Sequence, residues 1–235
     1  MLIDWSQYSA VSFDVGETLL RPYPSFAISF RRTCLRNGLR LTNAQASRVD
    51  AEATARSADY QRRGLRYSAS TESSREFWLS IYRETLHSLG VEAAIAERLA
   101  NALYADFTRS GAYRLFADAR PALRRARRRG LKVGILSNWE AWLARLLSEL
   151  DLTRHLDFVT ISALAGHEKP APDIFLAAAR SAGHPPDRIV HIGDSLHHDV
   201  AGARAVGITP ILVDRSDRHP EADCIRVRSL SELGL

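Results

Sequence analysis

Lysine is scarce in this chain. Of its 32 basic residues only Lys132 and Lys169 are lysines, and the others are arginine. Cysteine is scarce too: Cys34 and Cys224 lie far apart, with neither CxxC nor Cys/His metal spacing, which excludes a thiolate zinc motif and gives no reason for a disulfide framework. Long apolar runs are missing. Stretches such as Val133 to Leu136 fall far short of the roughly 20 residues that cross a bilayer, so no membrane partner is expected. The first residues do not form the basic, apolar, small-residue succession of a secretory leader, and the expected compartment is the reducing cytoplasm. Neither an internal repeat nor a low-complexity tract is present.

What the chain does have is enough apolar material for a substantial core: 235 residues, 46% of them hydrophobic, fit one large domain or a core with a smaller insertion. The net charge of +5 raises nucleic-acid binding, above all at Arg124-Arg125-Ala126-Arg127-Arg128-Arg129. That run overlaps Leu115, Ala119, Leu123 and Ala126, which recur at helical spacing, so its arginines are expected on the solvated face of an amphipathic helix. Nucleic acid is therefore not an expected partner.

Hydrophobic periodicity divides the chain into two textures. Short apolar runs at Ala10 to Phe13, Leu131 to Leu136, Phe158 to Ile161, Ile189 to Ile192 and Thr209 to Val213 read as strands. The helical stretches Ala119 to Arg129, Ala141 to Leu150, Ile174 to Ala182 and Val200 to Ala205 alternate with the later ones. This is the rhythm of an α/β fold, a Rossmann-like parallel sheet with helices on both faces, whose ligands bind along the edge of strand C-termini. From about Pro22 to Arg109 the pattern is helical, at Pro24 to Asn37, Asn43 to Arg63, Thr71 to Leu89 and Glu92 to Thr108, punctuated by Gly38, Gly64 and Gly90. An all-helical second domain over residues 22–109 is expected, inserted into a core of 1–21 and 110–235.

Four segments at expected strand ends carry side chains suited to phosphoryl transfer. In Ser12-Phe13-Asp14-Val15-Gly16-Glu17, Asp14 leaves the strand directly, as a metal ligand or a nucleophile that forms an aspartyl-phosphate; alone it would equally be turn chemistry. Ser137-Asn138 ends a second strand with a hydroxyl and an amide for phosphoryl oxygens, or else caps a helix. Lys169-Pro170 supplies a compact ammonium that neutralises phosphate charge. Gly193-Asp194, with Asp199 five residues on and Gly202 beyond it, brings two further carboxylates to that edge. Mg²⁺ favours such oxygen ligands. A zinc site from His191, His197 and His198 fits no common spacing, and adjacent histidines are expected to point apart.

Together these segments resemble the haloacid dehalogenase superfamily of hydrolases, over nearly the whole chain, with the helical insertion similar to that superfamily's helical C1-type cap. The resemblance implies Asp14 as nucleophile, Ser137 as the phosphate-binding hydroxyl, Lys169 as the charge-neutralising group, and Asn138 beside them as a substrate contact. It further implies Asp14, Asp194 and the Gly16 carbonyl as Mg²⁺ ligands, with Asp199 binding the metal through water or holding Lys169. The implied activity is a Mg²⁺-dependent phosphatase acting on a small phosphorylated metabolite. The substrate and the oligomeric state are not specified.

One position departs from the pattern. Phosphatases of the superfamily usually carry a second Asp two residues after the nucleophile, as proton donor and then base, and here that residue is Gly16. General acid-base catalysis contributes about 10²- to 10⁴-fold, so its loss slows turnover without removing metal-assisted attack. Glu17 is one candidate replacement; substrates with good leaving groups, such as acyl or aryl phosphates, are a second route, and a binding or regulatory protein that keeps the fold is a third. A metal-independent 2-haloacid dehalogenase also lacks that second Asp, but it has no chemical reason to keep Gly193-Asp194.

In the helical region Tyr60, Tyr67, Trp78 and Tyr82 are expected to pack rather than to meet substrate. Trp139 neighbours the expected phosphate position.

Overall fold

The structure is a computed structural model that describes residues 3–63 and 66–235; the expected break at Gly64 lies outside these residues. The chain divides into two compact units, one of residues 1–21 and 115–235, the other Pro22–Arg114.

In the first unit, six parallel strands form a sheet in the order β5-β4-β1-β6-β7-β8: β1 Ala10–Phe13, β4 Lys132–Ser137, β5 Phe158–Ile161, β6 Ile189–Gly193, β7 Thr209–Val213 and β8 Ile225–Val227. Every residue of β1 and β6, and all but Lys132 of β4, is buried, as expected for strands covered on both faces. β1 lies at the centre, with Phe13 in register with Ile135 of β4 and Ile192 of β6. The ends of β1, β4 and β6 are therefore brought level. The helices α5 (Ala119–Arg128), α6 (Leu143–Glu149), α7 (Ser162–Ala165), α8 (Pro172–Ala182) and α9 (Gly202–Ala205) belong to this unit. Ile174, Phe175, Ala178 and Ala179 of α8 pack with Ala10, Leu136 and Ile189 of the sheet.

The buried stripe of α5 is Ala119, Ala122, Leu123 and Ala126; Leu115, expected to begin it, ends strand β3 (Tyr113–Leu115) instead. As expected, most arginines of the run at 124–129 are solvated: Arg124, Arg127, Arg128 and Arg129 are exposed and Arg125 is half-buried, and several of the arginines in and beside α5 also reach acceptors. Arg120 donates to the Leu150 carbonyl at 2.6 Å, Arg125 to that of Leu230 at 3.2 Å and Arg129 to that of Gly234 at 2.7 Å, while Arg127 pairs with Asp157 at 2.8 Å.

The second unit holds α1 (Phe26–Arg36), α2 (Asn43–Arg62), α3 (Thr71–Ser88) and α4 (Ala93–Phe107). Polar caps set its helix starts: Ser25 accepts from the Ile28 amide, Ser70 and Ser73 form a reciprocal capping box, and Glu92 accepts from Ala94 and Ile95. Phe30, Phe77, Tyr82, Leu99 and Leu103 build its core, with Tyr60, Tyr67 and Trp78 packed against them. Tyr60, Tyr67, Trp78 and Tyr82 thus pack within this unit, as expected. The chain passes between the units within β2 (Leu20–Pro22) and β3, which pair as a two-stranded sheet. Neither was foreseen, and the second boundary falls after Arg114 instead of Arg109, because Ser110–Ala112 form a short 3-10 turn leading into β3.

Candidate active site

The level strand ends place Asp14 just after β1, Ser137 at the last position of β4 and Asp194 just after β6. Lys169 comes from the loop before α8, and its side chain is 2% exposed. Its ammonium lies 2.6 Å from Asp14 Oδ1 and 2.6 Å from Asp199 Oδ1, and donates to the Leu136 carbonyl at 3.2 Å. All three donors of the –NH₃⁺ group are thus committed. Ser137 Oγ donates to Asp14 Oδ1 at 2.9 Å.

Asp199 is the anchor of Lys169, one of the two roles expected of it. Its Oδ1 also lies 2.9 Å from His191 Nε2, while Oδ2 accepts from the Ser195 amide at 2.9 Å. His191 is wholly buried, with Nδ1 at 2.9 Å from Ser12 Oγ. Neither Ser12 nor His191 was singled out as a support of the site. A Cβ on Gly193 would overlap the Asp199 carboxylate, so glycine at this strand end is what admits Asp199. That close approach explains the Gly-Asp pair physically.

Asn138 differs from expectation. Its amide faces the lysine segment: Nδ2 donates one hydrogen bond to the Lys169 carbonyl at 2.9 Å and Oδ1 accepts one from the Lys169 amide at 2.7 Å. It braces the lysine segment. Nor do Ser137 and Asn138 cap a helix, since α6 begins only at Leu143.

Burial governs the charges of this cluster. It pushes the Asp14 carboxyl upward, with Lys169 opposing and Asp199 adding to the rise. It raises Asp194 well above the ordinary carboxylate range, helped by Asp14 and Asp199. Burial would raise Asp199 as well, but Lys169 and His191 outweigh it and hold that group below the usual range. The Lys169 ammonium is disfavoured by burial, yet the two aspartates raise its pKa.

Asp14, Asp194 and Asp199 offer carboxylate oxygens within 4.8 Å of one another, and they are the one such group of possible metal ligands found among the described residues. Three carboxylates facing one committed ammonium leave a surplus of negative charge, which suits a hard divalent cation. The histidines lie differently from expectation. Leu196–Ala201 form a π-helical turn, and the His197 and His198 rings, expected to point apart, meet with centroids 5.0 Å apart. The wider turn of a π-helix shifts side-chain directions in this way.

Gly16 faces Trp139: a Cβ there would meet the Trp139 ring at 3.5 Å, an ordinary contact. Glu17 adopts left-handed backbone geometry at φ 52°, and partial desolvation of its carboxyl raises the pKa against the opposing pull of Arg21.

A family model of haloacid dehalogenase-like hydrolases matches residues 8–207. Haloacid dehalogenase-like hydrolase domain-containing protein 3 of Bos taurus is 33% identical over 209 residues, covering 88% of this chain and 82% of its own. A phosphoserine phosphatase of Thermus thermophilus is 36% identical over 159 residues, covering 66% of this chain and 63% of its own. In fold, the putative HAD-hydrolase YfnB of Bacillus subtilis, described as bound to magnesium, superposes with a TM-score of 0.80 at 18% identity, with 96% of each chain covered. The L-2-haloacid dehalogenase RSc1362 gives 0.76 at 22% identity, again with 96% of each chain covered. With the family model spanning most of its length, this chain belongs to the haloacid dehalogenase-like hydrolases.

Proposed function

We propose that the protein is a Mg²⁺-dependent phosphatase of a small phosphorylated metabolite, working through an aspartyl-phosphate on Asp14. The observation that carries this reading is the shared ammonium of Lys169, 2.6 Å from both Asp14 and Asp199, beside the three-carboxylate cluster. Phosphatases among the sequence relatives support it. The helical unit, as a cap, would carry substrate selection.

Asp14, Asp194 and the Gly16 carbonyl would hold Mg²⁺, with Asp199 contributing through water. The ion would supply charge stabilisation for the phosphoryl oxygens. Lys169 favours the ionised form of Asp14 against the effect of burial, orients it, and balances charge that builds on the phosphoryl group during attack. Ser137 turns its hydroxyl from Asp14 to a phosphoryl oxygen as the substrate enters. The Asp14 carboxylate forms the new O–P bond while the leaving oxygen departs with the bonding pair. Water then attacks the phosphoenzyme, displacing Asp14. Glu17, its pKa raised, is the side chain nearest in sequence that exchanges protons where Gly16 does not.

The test is phosphate release from an aryl phosphate with Mg²⁺, comparing native protein with Asp14→Asn and Gly16→Asp. Asp14→Asn should abolish release; retained activity sinks the proposal. Gly16→Asp, whose first side-chain atom has room beside Trp139, should accelerate turnover by about 10²-fold or more. Metal-independent halide release from a 2-haloacid would move the assignment to a dehalogenase, and no turnover by either variant or native protein to a binding protein.

A further inference from the structure

We propose that Arg215, just beyond β7, is the positioning residue of the Gly16-Glu17-Thr18 turn that follows the nucleophile. Its guanidinium makes four hydrogen bonds. Nη1 and Nη2 grip the Asp118 carboxylate at 2.9 and 3.0 Å, Nη2 also donates to the Thr18 carbonyl at 2.7 Å, and Nε donates to the Glu17 carbonyl at 3.2 Å. The guanidinium carbon stacks 3.7 Å from the Phe116 ring centroid. Asp118 is itself fixed by Ser229 Oγ at 2.7 Å and the Leu230 amide at 2.9 Å.

The turn needs such a clamp. Glu17 lies at φ 52°, a left-handed conformation that strains a residue with a Cβ and persists only where its surroundings impose it. Leu19 and Leu20 amides both return to the Val15 carbonyl, at 2.9 and 3.0 Å, and Phe116 donates its amide to Leu19. These bonds close the turn but leave the Glu17 and Thr18 carbonyls to Arg215. Only a planar fork grips a carboxylate, reaches two carbonyls and stacks on a ring together; a lysine ammonium has three donors and no plane. Arg215 therefore fixes where the Gly16 carbonyl and the Glu17 side chain stand relative to Asp14, without touching substrate itself.

This inference rests on the phosphatase reading for its activity arm only. Arg215→Lys should lower kcat for an aryl phosphate by between about 10- and 100-fold, the scale of a misplacement near 1 Å, with KM little changed. Hydrogen exchange at the Leu19 and Leu20 amides should rise together with that loss. Arg204→Lys, which loosens the exposed Arg204–Asp223 pair of the same unit, should leave both unchanged. A fall in melting temperature with native kcat and native exchange at 19–20 overturns the proposal, as does faster exchange with native kcat. If the native protein releases no phosphate, the phosphatase reading has failed, and exchange alone decides: unaltered protection at Leu19 and Leu20 in Arg215→Lys refutes the clamp. Should Arg215→Lys not fold, Asp118→Asn, which removes the charge facing the fork, takes its place with the same two outcomes.

Discussion

Replacing Lys169 with methionine removes the one cation from a cluster of three aspartates while keeping an unbranched side chain of similar length. Two carboxylates, Asp14 and Asp199, lose a 2.6 Å partner each at a site where the lysine is 2% exposed. Breaking a buried charge pair by deleting one partner costs about 3–5 kcal/mol, and for a chain of this size each kcal/mol moves the melting temperature by about 2–4 °C. The expected fall at neutral pH is therefore roughly 6–20 °C.

The pH dependence separates this cause from lost packing. In the native protein Asp199 is held below the usual range by Lys169 and His191 against the opposing effect of burial. Its contribution is thus present above the unfolded value, near 3.8, and is lost as pH falls through the folded one. Without the ammonium, burial dominates and the pKa rises, so stability is retained in acid and lost as pH climbs. Thermal melts of both proteins between pH 4 and 8 should diverge progressively toward neutrality, and Lys169→Met with Asp199→Asn should recover part of the loss. A uniform drop at every pH, or none, refutes the charge argument.

Other outcomes follow from the same geometry. Mg²⁺ at about 100 times its dissociation constant should stabilise the protein by about 2.7 kcal/mol. Because burial raises both Asp14 and Asp194, protons compete for the ligands, and the Mg²⁺-dependent rise in melting temperature should grow with pH; a flat increment argues against these two as ligands. Gly193→Ala places a methyl group on the pinned Asp199 carboxylate, so it should lose about 1–3 kcal/mol in urea unfolding and most phosphate release. Burial raises Asp118, but Arg215 and Ser229 outweigh it, so Asp118→Asn should remove stability above about pH 4 and narrow its difference from native protein as pH falls, as acid titration by circular dichroism would read.

Asp14 and Asp194 were legible because each directly follows an apolar strand, where periodicity reveals the strand and parallel topology delivers its end to a shared edge, while Lys169, in the loop between α7 and α8, was legible as one of only two lysines in the chain. Supports that act across the chain were not. Asn138 holds a segment 31 residues away, and Arg215 reaches carbonyls at separations of 198 and 197 residues, using backbone acceptors that any sequence offers. β2, β3 and β8 have three residues each, too few for alternation to register. The helical spacing that puts the arginine run of α5 on an exposed face is blind to the carbonyls those side chains reach.

The shortage of lysine makes the protein its own reporter. An amine-directed reagent meets only two side chains: Lys132, whose side chain is 56% exposed, and Lys169, enclosed and held protonated by its two aspartates. Acylation of the first follows ordinary solvent access. Acylation of the second requires the ammonium to shed both partners and its proton, so the ratio of the two modifications, read by mass spectrometry on native protein, measures how often the candidate active site opens.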